Sequence, residues 1–264
     1  MRSAFFRKWA YSVPDTWNEI PSRNYLAVIK VFYTEHDNDR GILMMFRALA
    51  GIPWWQLFMM RTPNLLAAAR DATEFLFEGN TLTKNLLPFY RGYAGPADDL
   101  QNLKMLEFCH TEFFHSRYEK DGNIDDLNAL VAALYRPKKS RWSYSYTKNP
   151  DGDFRVPFNP NTIAYYQKRL AKWPTHVKLA IFRFYQGARA SIITRNPRVF
   201  DNGGGEESLY GLWSVMRAVA KSGHLGDLDK VTDQYVDTVL MELNETVAEA
   251  ERIEMERNKV TVER

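Results

Sequence analysis

A mainly α-helical fold, a bundle of about eight helices with a small β-hairpin insertion, is what this 264-residue sequence predicts. Three observations carry that expectation. Apolar residues recur three and four positions apart along most of the chain, the period of a helix with one buried face. Cap and breaker residues punctuate those stretches. Only residues 137–158 alternate clearly as strands do.

In order, Pro21-Ser22 opens a helix with Tyr25, Leu26, Ile29, Phe32 and Tyr33 on its apolar face. Asp39 caps a second, with Ile42, Leu43, Phe46 and Leu49, and Gly51 closes it. Pro53 begins a short apolar turn, Trp54 to Met60. Thr62-Pro63 is an N-cap and first-turn pair for a helix burying Leu65, Leu66, Ala69, Ala72, Phe75 and Leu76. Residues 80–100 read as extended chain and turns. A helix is expected from about Asn102 to Tyr118, and another after a cap at Asp125 with Leu127, Leu130, Val131 and Leu134 inward.

Trp142, Tyr144 and Tyr146, then Phe154, Val156 and Phe158, alternate with polar residues around the turn Asn149-Pro150-Asp151-Gly152, which predicts a hairpin. Helices resume over Pro160–Trp173 and Pro174–Thr194. Gly203-Gly204-Gly205 reads as a hinge, followed by a helix with Leu209, Leu212, Trp213, Met216 and Val219. One last long helix carries Val231, Tyr235, Val239, Leu240, Leu243 and Val247. The organisation is therefore an N-terminal helical region (1–136), an insertion (137–158) and a C-terminal helical region (159–264), joined in one continuous domain. Past Val247 the apolar stripe fades, so 248–264 is expected to be an exposed acidic tail.

The net charge of +3 conceals a polarised chain. Residues 127–200 hold 14 Lys/Arg against Asp151 and Asp153, whereas 227–264 hold 5 against 11 Asp/Glu. Such polarity suits a charged partner or contact between the two regions. A lone cysteine, Cys109, excludes a disulfide framework and a Cys-rich zinc site, and fits a reducing cytoplasm. The start MRSAFFRKWAYS lacks the apolar core of a signal peptide, and no apolar run approaches the ~20 residues of a spanning helix.

Glu107-x-x-His110 has the spacing of half a di-iron bundle site. No second such pair accompanies it, although Glu74 could face it from an earlier helix. The plainer reading is a partly exposed Glu, a hydrogen-bonded His and no bound metal. No HExxH, GxSxG, phosphate loop or GxGxxG occurs, so neither a catalytic residue nor a cofactor is expected. The segment containing Lys138, Lys139, Arg141, Trp142, Tyr144 and Lys148 interleaves cations with rings, the pattern of single-strand binding, and Lys168, Arg169, Lys172, Lys178, Arg183, Arg189, Arg195 and Arg198 follow it. Trp54, Trp55, Phe58, Met59 and Met60 suit an adaptable protein-binding surface.

Four segments together resemble a known group. They are Leu127–Pro137 (LNALVAALYRP), Phe182-x-Phe184-Tyr185-x-Gly187-x-Arg189, the blocks Leu209–Trp213 and Ala220–Val231, and the VLMEL…AEAE ending. Across roughly residues 75–256 the chain resembles phage or prophage tail-region proteins of Bacteroidetes-type hosts, similar to tail assembly chaperones. That resemblance implies a helical, non-enzymatic adaptor of the host cytoplasm. It would cover a tape-measure protein, or hold a tail tube protein, during tail assembly. Trp54, Trp55, Phe58, Met59 and Val247 would then contact the partner. The alternative is a nucleic-acid-binding phage protein using the 136–198 basic face.

Overall fold

Helix-period sequence becomes helix through most of this chain, and the result is a mainly α bundle with a small antiparallel sheet. The structure, a computed structural model, describes residues 2–6, 9–35, 38–59, 64–139, 153–201 and 209–262. A hairpin of β1 (Arg2–Phe6) and β2 (Trp9–Val13) precedes α1 (Ser22–Thr34), α2 (Asp39–Ala50), α3 (Trp54–Met59) and α4 (Leu65–Thr73). The short strands β3 (Phe89–Tyr90) and β4 (Tyr93–Ala94) lead to α5 (Met105–Asp121) and α6 (Ile124–Leu134), and β5 (Arg136–Pro137) follows. The chain continues as α7 (Ile163–Leu170), α8 (Thr175–Arg195), α9 (Pro197–Asp201), α10 (Leu209–Ser222), α11 (Leu228–Asp233) and α12 (Val236–Val262). Among the described residues, no helix is long and apolar enough to cross a membrane.

Helix α6 is the centre. Asp126 through Leu134 are all buried, because α5, α7 and α8 enclose a helix that is apolar nearly all round. Phe108 and Cys109 of α5, Val177, Ile181 and Phe184 of α8, and Val239 and Leu240 of α12 join the same cluster, which reaches from Trp17 to Leu243. Each such fully buried side chain contributes roughly 1.5–3 kcal/mol. Val13, Phe46, Ile52, Leu65 and Ala69 form a second cluster under α3.

Four expectations are corrected. Asn38 and Asn123, rather than Asp39 and Asp125, cap their helices. The Asn38 carboxamide accepts from Gly41 N at 2.8 Å and that of Asn123 from Asp125 N at 2.9 Å. Asp39 sits one position further in and Asp125 two, where they meet the positive helix end. α5 begins at Met105, not Asn102, because Asp99 and Leu100 turn the chain with φ of 52° and 58°. The last helix is two, α11 and α12. Met105 N donates to Gln234 O at 2.8 Å and Val236 N to Leu103 O at 3.0 Å, so backbone pairing to α5's entrance replaces helical bonds there. The β1–β2 hairpin was not expected, although Trp9, Tyr11 and Val13 alternate with Ala10 and Ser12.

Most of the expected 140–158 hairpin lies outside the described residues, as do Thr62-Pro63 and Gly203–Gly205. Its two ends are paired. Lys138 and Arg155 form an antiparallel bridge, Lys139 N donates to Phe154 O at 2.8 Å, and Val156 N donates to Pro137 O at 2.9 Å. β5 in turn pairs with β4 and β4 with β3, which gives the order β3-β4-β5.

Candidate functional site

The ladder that ties residues 153–156 to β5 also delivers Arg155 into the molecule. Its guanidinium, fully buried, donates Nη1 to Glu107 Oε1 at 2.5 Å and Nη2 to Asp153 Oδ2 at 2.9 Å, while Nε holds Asp153 Oδ1 at 2.9 Å. Arg136 enters from β5: Nε donates to Val156 O at 2.7 Å, and Nη1 donates to Ala133 O at 3.0 Å and pairs with Glu107 Oε1 at 2.7 Å. Glu107 is 1% exposed, not partly exposed as the sequence suggested. Burying a carboxylate is expensive unless it is paired and hydrogen-bonded, and two arginines do both here. Burial pushes the Asp153 carboxyl up, but hydrogen bonds from Arg155 and the charges of Arg155 and Arg136 outweigh it and hold the carboxyl below its ordinary range.

A cavity of about 210 Å³ lies against this centre, lined among others by Lys104, Lys139, Phe158 and Asp233. Its charges are mostly spoken for. Lys104 pairs with Asp233, and Lys139 Nζ donates to Asp153 O at 2.8 Å. His110, one turn on from Glu107, faces the Phe158 ring at 5.6 Å between centroids, and burial lowers its pKa. Glu107 and His110 therefore do not converge, and no group of three or more potential metal ligands occurs among the described residues.

A second buried network joins α5 to α8. Glu112 accepts from Tyr185 Oη at 2.5 Å and from Arg189 Nε at 2.8 Å. Beside it, burial and the Glu112 charge push the Cys109 thiol up to about 12, which keeps it protonated and inert.

Two of the segments singled out in the sequence supply side chains to these and neighbouring polar contacts. Within Leu127–Pro137, Asn128 Oδ1 accepts from Lys178 Nζ at 2.8 Å, Tyr135 Oη donates to Leu87 O at 2.6 Å, and Arg136 holds Glu107. Within Phe182–Arg189, Tyr185 and Arg189 hold Glu112. Gly187 lets the 80–83 segment approach: a Cβ there would lie 2.3 Å from Leu82 O.

The expected surfaces separate. On α3, Leu57 packs inward while Trp54, Trp55 and Met59 are 68%, 52% and 59% exposed. The side chain of Phe58 lies outside the described residues, and Val247 is half-buried on α12. Of the basic face, Arg141, Trp142, Tyr144 and Lys148 fall outside the described residues. Arg136, Arg155, Lys178 and Arg189 are turned inward. Arg183 lies over the Trp17 ring at 4.6 Å, and Arg195 pairs with Asp99 at 2.9 Å. Lys138, Lys168, Arg169 and Lys172 remain exposed. The sequence marked all of these alike, because charge on a helix carries no sign of direction until the neighbours are known.

No family model, no curated protein and no solved structure matches this chain.

Proposed function

We propose that this chain is a non-enzymatic adaptor of phage tail assembly, which holds the tape-measure protein or another tail protein in the host cytoplasm during morphogenesis. The observation that carries the reading is the exposed pair Trp54 and Trp55 with Met59, presented on a short helix anchored by Leu57. Large exposed apolar side chains side by side mark interaction sites, and Trp and Met adapt to varied partners. The resemblance over residues 75–256 supplies the tail-assembly context.

The far half of α12 supports the same reading. Its first turns bury Val236, Val239, Leu240 and Leu243, and Asn244 Nδ2 donates to Asn196 Oδ1 at 2.5 Å. Beyond Val247, Glu249, Arg252, Ile253 and Met255 are exposed, so this end offers a mixed apolar and charged edge to a partner. The buried carboxylates also favour binding over chemistry, because Glu107, Glu112 and Asp153 are each engaged by guanidinium groups.

Co-expression with a phage tape-measure protein tests the proposal. Capture is expected for the wild type and lost in Trp54→Ser/Trp55→Ser, and it weakens on deletion of 248–264. Both variants should keep wild-type helicity per residue, since surface changes typically shift stability by only about 0.5 kcal/mol. Capture unaffected by both variants would refute it.

A further inference from the structure

We propose that the surface formed by the β3–β4 turn, Lys138 and the outer stripe of α7 binds single-stranded nucleic acid without sequence preference. This goes beyond the adaptor reading and rests on different residues.

The basic character of 127–200 is spread through the sequence, but folding sorts it. Carboxylates, carbonyls and ring faces inside the molecule take up Arg136, Arg155, Lys178, Arg183 and Arg189. Lys138, Lys168, Arg169 and Lys172 are left exposed, with no carboxylate partner among the described residues. Arg91, which lies outside the basic segment, joins them from the β3–β4 turn and is likewise exposed, with no carboxylate partner among the described residues.

These cations are neighbours. Tyr165, Lys168 and Arg169 follow the three–four spacing of one helical face, and Lys172 stands exposed in the turn two residues past the helix end. Opposite that face, Ile163, Leu170 and Trp173 are buried. Trp173 touches the Tyr90 ring at 4.7 Å, and the Arg91 guanidinium lies 5.5 Å from that same ring. Lys138 N donates to Gly92 O at 3.2 Å, which puts Lys138 beside the turn. Tyr165 lies 5.3 Å from Tyr166, whose ring packs on Tyr93 of β4 at 6.2 Å, so the stripe borders the strand beside the turn.

Aromatic rings line this surface. Phe89 and Tyr165 are 51% and 54% exposed, and Phe154 is 38% exposed. Lys138 Nζ lies 4.3 Å from the centre of Phe89, and Arg169 lies 4.7 Å from that of Tyr165. Cations placed beside exposed rings offer phosphate contacts and base-stacking platforms together. The rings hold these cations and, being half exposed, also add a stacking surface that an acidic polypeptide does not need, which favours nucleic acid.

Fluorescence anisotropy with a labelled oligothymidylate of about twenty nucleotides tests this on the full chain. At about 50 mM NaCl it should bind, and log K should fall with log salt by about 0.7 for each phosphate contacted. Lys138→Ala/Arg169→Ala/Lys172→Ala should lower that slope by about two. Phe89→Ala/Tyr165→Ala should weaken binding at least about fivefold and leave the slope unchanged. Lys168→Glu/Lys172→Glu, confined to exposed positions, guards against a folding artefact and should abolish binding with helicity intact. Three results would each overturn the proposal: no binding at low salt, binding unchanged in the charge variants, or polyglutamate binding equally well with no response to loss of the rings.

Discussion

Glu107 is held by Arg136 and Arg155 while His110, one turn on, faces Phe158, and the worth of the ion pairs can be measured. Glu107→Gln leaves Arg136 and Arg155 buried beside one charge fewer, so it should cost about 3–5 kcal/mol in a denaturant melt. Replacing Arg155 by Met in the same chain should recover part of that loss, because an unpaired guanidinium no longer has to stay dry. A double variant weaker than the sum of its singles would contradict the pairing. Below neutral pH, His110, His176 and Asp153 are all lowered in the folded state. A lowered group contributes stability above its unfolded value and loses it as pH falls through the folded one. His110 should therefore cost stability as pH drops below about 6.5, and Asp153 as it drops below about 3.9. His110→Phe should reduce the slope only in the upper part of the profile, with His176 supplying the remainder, in melts taken across pH.

At the level of elements, α8 depends on one small residue. Gly187 faces backbone at Leu82, with Asn80 Nδ2 donating to Arg183 O at 2.5 Å just alongside, so the 80–83 segment lies directly on the helix. Gly187→Ala should destabilise by about 1–3 kcal/mol despite the better helix propensity of Ala, because a backbone must move. A neutral or stabilising result by thermal melt would show that the contact yields. Helix existence at α1, α2, α4, α6, α7 and α8 was legible from periodicity. Helix ends were not. The Asn38 and Asn123 caps compete with the neighbouring Asp39 and Asp125, and the break at Gln234–Tyr235 exists only because Leu103 and Met105 supply backbone partners from far away in the chain.

Across the whole molecule, the main buried cluster draws on both the 1–136 and the 159–264 regions. Arg155 and Arg136 tie the insertion's ends into it. One cooperative transition is therefore expected, with calorimetric and van't Hoff enthalpies equal. Two resolved transitions would divide the chain into independent units. The charge polarity seen in the sequence is partly spent in this assembly, since cations from 127–200 meet carboxylates Glu107, Glu112 and Asp99 from the first half. Only the remainder faces solvent as a surface.

From sequence alone came the helical class, the inward face of Leu127, Leu130, Val131 and Leu134, the absence of a disulfide framework and the apolar run of Trp54, Trp55 and Met59. Each rests on local period, on residue chemistry or on neighbours within a turn or two. Tertiary structure alone decided which cations of the basic segment are sunk into ion pairs and which stay wet, why Gly187 must be small, and where the last helix breaks. Those outcomes depend on groups brought together from distant positions, and a burial cost or a close backbone approach acquires a value only when both partners are in place.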